Sequence, residues 1–221
     1  MEIKAADVAK LRQMTGAGMM ECKNALKEAE GDFERAKEII REKGKLVAAK
    51  RSDRETTEGK VVALVNADNT KAIITALGCE TDFVAKNAEF QELAGNIAKA
   101  ALENFPADLA GLMACSFNGQ TVEDAITQQT GKSGEKHAVP FYASIEAPYI
   151  ASYMHVINGK LAAIVGFNKV VAPEVGKGIA MQVASMNPVA VSAESVPQSV
   201  IDSELKTAEQ KTREELVQKA V

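Results

Sequence analysis

The sequence predicts an α+β fold, in which a small three-helix module precedes a core of two hairpin-plus-helix halves. Three observations carry this. Apolar residues recur at helical spacing, punctuated by glycines, through about the first 45 residues. After Gly59 the pattern switches to strand-like runs around a turn, followed by an amphipathic helical stretch. The same order, hairpin then helix, returns around Asn158-Gly159, which suggests an internal duplication of architecture.

Taken in order, Val8, Leu11 and Met14 mark a first helix that begins near Ala5 and stops at Gly16, because glycine adopts the left-handed C-terminal cap at little cost. Cys22, Ala25, Leu26 and Ala29 share one face of a second helix ending at Gly31. Asp32 then caps a third, with Phe33, Ala36, Ile39 and Ile40 facing inward, and Gly44 is expected to end it. So small a bundle buries little surface, and its apolar positions are committed to its own core. Beyond the polar stretch 52–59, runs from Lys60 to Asn66 and Lys71 to Cys79 flank Asp68-Asn69 and read as a hairpin. A single helix from about Ala85 to Glu103 follows, striped by Phe90, Leu93, Ala94, Ile97, Ala98 and Ala101. Thr121 and Asp124 form a capping signature opening a short helix that ends at Gly131. Runs from Ile150 to Ile157 and Lys160 to Val170 flank Asn158-Gly159, and a helix spans about Pro173 to Met186. The charged tail from Ser199 is helical with a thin apolar stripe. The corresponding domain division is 1–54, 55–140, 141–198 and 199–221.

Composition narrows the function classes. Of 221 residues, 46% are hydrophobic and 25% charged, which is ordinary for a folded domain with a sizeable core. No window resembles a membrane span, and charges at Glu2, Lys4 and Asp7 replace the apolar region of a signal peptide, so a cytoplasmic location is expected. Cys22, Cys79 and Cys115 are odd in number and lack CxxC spacing, which points to a reducing compartment without disulfides or a zinc site. The net charge of -4 argues against direct nucleic-acid binding. The only basic cluster, Lys43, Lys45, Lys50, Arg51 and Arg54, is interrupted by acids and reads first as a solvated linker. Gly131-Lys132-Ser133 resembles the end of a phosphate-binding loop, but that loop needs a glycine where Ile126 stands. His137 and His155 have no ligand spacing, and no nucleophile motif is present. The chain reads as a non-enzyme without cofactor or metal. An enzyme reading would have to pair Cys79 with His155 from a distance in sequence.

Two features survive this subtraction. In Thr15-Gly16-Ala17-Gly18-Met19-Met20, either the glycines make a helix-helix turn and a methionine closes the core, or the methionines form a docking patch. In Thr81-Asp82-Phe83-Val84, either Thr81 or Asp82 caps a helix while Phe83 is a staple on the core, or Phe83 projects as an aromatic anchor. Local physics alone leaves both pairs open.

The stretch from Leu11 to Leu26, and Glu80-Thr81-Asp82-Phe83-Val84-Ala85-Lys86 after it, closely resemble the two signatures of the elongation factor Ts family, in the right order. Weaker similarity follows at Ser152 to His155, Ile179 to Ala184 and Asn187-Pro188. The resemblance implies a ubiquitin-associated-like N-terminal module and a guanine-nucleotide exchange factor that binds elongation factor Tu carrying GDP and promotes GDP release. It implies partner contacts at Arg12, Met19, Met20, Thr81, Asp82, Phe83, Val84 and His155, with Asp82 and Phe83 near the partner's magnesium and phosphate site. Three departures stand out: Gln182 where many members have histidine, Pro140-Phe141 where a pair of arginines is expected, and no basic-apolar helical segment before the chain ends at Val221. Pro140 suggests an edge strand or a bulge. The alternative is a ubiquitin-associated-like peptide- or protein-binding scaffold without exchange activity.

Overall fold

The computed structural model describes residues 3–157 and 159–219. They fall into two compact units, 1–184 and 185–221. The first opens with three helices, α1 (Ala5–Thr15), α2 (Met19–Glu28) and α3 (Phe33–Lys50). Gly16 caps α1 with φ 68, and Asp32 Oδ1 accepts from Glu34 N and Arg35 N to start α3, as their sequence positions predict. Leu11, Cys22, Leu26, Ala36 and Ile39 are buried together as the module's own core.

Next come β1 (Glu58–Val65) and β2 (Lys71–Cys79), then α4 (Asp82–Ala85), α5 (Ala88–Asn104) and α6 (Leu109–Ala114). A two-stranded ribbon, β3 (Ser116–Phe117) and β4 (Gln120–Thr121), leads into α7 (Val122–Ser133), and β5 (Ala138–Glu146) follows. The sheet order is β1-β2-β5, all antiparallel. A core of Ile73, Leu77, Phe90, Ile97, Leu112 and Val122 sits where α5 crosses β1 and β2. Pro140 lies on the edge strand β5, at a bulge where the register shifts between Ala76 and Gly78, so both parts of the expectation for that proline hold. The β6 (Tyr149–Met154) and β7 (Ala162–Phe167) hairpin packs against β1, with Val61 N donating to Gly159 O and Ala63 N to Met154 Sδ. These contacts occupy donors on the outer edge of β1, which would otherwise be open to strand pairing. Asn158, half of the predicted turn, lies outside the described residues; Gly159 has the positive φ, 61, that the turn reading asks of it. Helix α8 (Pro173–Met186) approaches β6 closely at Gly176, where a Cβ would meet Ala151 Cβ at 2.9 Å.

Two predicted helix ends are corrected. Helix α3 runs six residues past Gly44, and α7 passes through Gly131 to end at Gly134, φ 72. Neither glycine is a stop signal. A Cβ on Gly131 would lie 2.8 Å from Gly44 Cα, and one on Gly44 would lie 3.3 Å from Thr127 O, so the pair lets two backbones touch where the module packs on the core. A mid-helix glycine costs about 1 kcal/mol against alanine, and here the close approach offsets it. The single helix expected from Ala85 is also divided: Asn87 Oδ1 accepts from Glu89 N and starts α5 afresh, which leaves α4 as a separate single turn.

In the second unit, α9 (Gln198–Lys219) is helical as predicted, and its side chains from Gln198 to Val217 are exposed apart from the partly buried Val200. Among the described residues no helix is long and apolar enough to cross a membrane. Nor do the described residues contain a group of three or more His, Cys, Asp or Glu side chains able to hold a metal ion.

Candidate functional site

The residues singled out in sequence lie at three places: the α1-α2 corner, the α4 turn and the end of β6. Arg12 is exposed on α1. Met19 and Met20, 46% and 67% exposed, begin α2, while Ala17 takes the buried place between the two glycines. Neither methionine closes the core. His155 follows β6 and is half-buried, sharing a hydrogen bond of 2.8 Å between its Nδ1 and the Tyr153 hydroxyl. Beside it Val156 and Ile157 are almost wholly exposed.

Thr81 to Val84 form the most constructed of the three places. Thr81 is the N-cap of α4, its Oγ1 accepting from Val84 N at 3.4 Å. Ala85 is buried and Val84 packs on the core, so one side of the turn is anchored. Phe83 points the other way and is 84% exposed. The staple reading therefore fails: a ring packed on the core would be covered, as Phe90 is. Asp82 pairs with Lys86 at 2.6 Å; this bond holds the carboxyl below its usual range and raises the lysine, so the aspartate's charge is already partly balanced.

What holds this turn comes from Glu135 and Lys136, which the sequence did not mark, and from Glu80 and Arg51, to which it gave no such role. Glu135 accepts from Thr81 N at 3.0 Å and from Thr81 Oγ1 at 2.7 Å. Glu80 accepts from Lys136 N at 2.6 Å and, through both oxygens, from Arg51 Nη1 at 2.9 Å. The Lys136 amide bond, with Arg51 beside it, keeps the Glu80 carboxyl below its usual range. Lys136 Nζ donates to Ser52 O and Arg54 O, fastening the chain that leaves α3. Arg51 is thus not the solvated linker residue its neighbours in sequence suggest. The one available signal was Glu80, an acid that opens the motif and could pair with a basic cluster read as linker.

Cys79 is buried, donates its thiol to Thr81 O at 3.2 Å, and is pushed up to about 11 mainly by burial. A thiol so far from ionising is a poor nucleophile near neutral pH, which removes the support for an enzyme built on it.

Residues 80–221 match the family model described as elongation factor TS. The chain is 50% identical over 97% of its length to an elongation factor Ts of Christiangramia forsetii, and 49% identical over its whole length to one of Bacteroides fragilis. The chain belongs to the elongation factor Ts family. A third such relative, from Porphyromonas gingivalis, is 50% identical over 97% of the chain. The chain spans 78%, 66% and 77% of the lengths of these three elongation factor Ts proteins respectively. The family match opens at Glu80, so it takes in the whole α4 turn, and the relatives extend the similarity across the helical module.

Proposed function

We propose that this chain is a guanine-nucleotide exchange factor that docks on elongation factor Tu bound to GDP and speeds GDP release during translation elongation. The observation that carries the proposal is Phe83, a phenyl ring 84% exposed on a one-turn helix whose base is fixed by polar bonds. Exposing a ring forgoes roughly 1.5 to 3 kcal/mol of burial, so such a placement makes sense where a partner supplies the pocket. A rigid aromatic loses little entropy when it enters, and it can move a partner element that supports magnesium and phosphate. The protein does no covalent chemistry in this reading. Exchange is a coupling: the factor weakens GDP on the GTPase, and GDP weakens the factor by the same ratio. Met19 and Met20, with Arg12 exposed on the adjoining helix α1, offer a second contact patch, and the His155 hairpin a third, which together hold the wedge against the GTPase.

The test is stopped-flow release of fluorescent GDP from purified elongation factor Tu, with excess unlabelled nucleotide, as the concentration of this protein is raised. A saturable acceleration is expected. Binding to elongation factor Tu without acceleration would instead favour a scaffold.

A further inference from the structure

We propose that Glu135 is the positioning residue for the Phe83 wedge: its carboxylate, delivered by the turn between α7 and β5, grips both donors of Thr81 and so fixes the direction in which α4 presents the ring. This rests on the exchange reading above.

A single helical turn cannot hold itself. Nucleating a helix fixes several dihedrals for one hydrogen bond and is unfavourable in isolation, so the orientation of α4 must be imposed from outside. Its forward end is imposed by Ala85 and Val84 on the core. Its rear end depends on Thr81, all three of whose polar groups are engaged. The amide and hydroxyl donate to Glu135, and the carbonyl accepts from Ala85 N and from the Cys79 thiol. Two bonds from one carboxylate to one residue set backbone and side chain together, and a charged acceptor makes each bond stronger than a neutral one. Phe83 is two residues on, with its ring outside the core.

The grip is reciprocal. Glu80-Thr81 and Glu135-Lys136 each lend a carboxylate to the other pair's backbone, Glu80 to Lys136 N and Glu135 to Thr81 N. Arg51 joins the same knot through Glu80, and Lys136 Nζ ties in Ser52 O and Arg54 O. The exit of the helical module and the wedge are therefore pinned at one place. A wedge that arrives already oriented spends less of its interaction on ordering itself, and that saving is felt in the engaged complex, where the ring must displace a partner element.

The prediction is a lower ceiling rather than weaker docking. With Glu135→Ala, the rate of GDP release from elongation factor Tu at saturating factor should fall about tenfold, while the half-saturating concentration stays within about twofold. Glu135→Gln keeps one acceptor oxygen and should fall between wild type and alanine. Thr81→Val, which removes the hydroxyl and keeps the amide, should also lower the ceiling and provides a second route if the alanine variant folds poorly. A purely structural role would shrink the folded fraction, which shifts the half-saturating concentration and leaves the ceiling alone. Hydrogen exchange of the free protein supplies an independent arm, with faster exchange of the Thr81 and Ala85 amides expected in Glu135→Ala. A wild-type protein that never accelerates release overturns the exchange reading and this assignment with it. An active wild type whose Glu135→Ala and Thr81→Val variants reach the same ceiling overturns the assignment alone.

Discussion

Two exposed apolar places, the Met19-Met20 corner and the Phe83 turn, are built on opposite principles. The methionines ride on α2, a helix of ten residues whose other face, with Cys22, Ala25 and Leu26, is sealed in the module core. Apolar packing fixes that helix, and the outward residues are positioned without further support. Phe83 rides on four residues, of which only Val84 and Ala85 reach the core, and the rest of its mount is polar: the Glu135 carboxylate arrives from 54 residues away to hold Thr81, and Glu80 reaches the Lys136 amide 56 residues on. A broad docking surface tolerates helix-borne, flexible side chains. On the exchange reading proposed above, a ring that pushes needs a stiff mount, and polar bonds supply what the small apolar face of Val84 and Ala85 does not.

The largest test of this contrast pairs two phenylalanines seven residues apart. Phe90→Ala should cost about 3 to 5 kcal/mol of stability, whereas Phe83→Ala should stay within about 0.5 kcal/mol, because one ring is wholly buried and the other 84% exposed. Denaturant unfolding of both variants measures it. Comparable destabilisation by the two would mean that Phe83 is structural after all.

Smaller and of a different kind is the effect at the helical corner. Replacing Met19 and Met20 together by alanine should weaken association with elongation factor Tu by roughly 1 to 3 kcal/mol, with little change in melting. Calorimetric titration beside a thermal melt separates the outcomes. Lost stability with unchanged affinity would place the methionines in the fold and leave the Phe83 turn as the only one of the two surfaces that faces a partner.

The smallest effect probes the polar mount through pH. His137 follows Lys136, is buried 5.6 Å from the Phe90 ring, and donates from Nδ1 to Glu135 O at 2.9 Å, while its Nε2 has no hydrogen-bond partner among the described residues. Burial pushes this imidazole below its usual range, since a proton on Nε2 would be a buried donor with nothing to accept it. The unfolded chain therefore binds that proton more readily. Its contribution to stability is present above about pH 6.5 and declines as pH falls through that value toward the lowered one. The melting temperature should drop between about pH 7.5 and 5.5, and His137→Leu should flatten that drop. An equal drop in the variant would show that other groups set the acid sensitivity.

The helical module was legible almost residue by residue. Its caps at Gly16 and Asp32 act over three or four residues, and its inward faces follow from the helical period, so local chemistry was sufficient. The bulge at Pro140 was legible too, because a residue without an amide hydrogen can only sit where the ladder has no need of one. Gly44 and Gly131 were misread for an equally physical reason: a glycine that ends a helix and a glycine that admits another backbone are the same residue, and only the crossing of α3 with α7 distinguishes them. The same holds at the wedge. The sequence by itself determined that Thr81 or Asp82 caps a helix start and that Phe83 stands beside that cap, since a cap and its helix are neighbours; that Thr81 is the cap and that the helix is a single turn came from the structure. Whether that ring would turn inward or outward, and that Glu135, Arg51 and Lys136 would hold it, was decided only by tertiary structure. Those bonds join residues whose separation in sequence carries no period, and a carboxylate's partner is chosen by the space the fold closes around it.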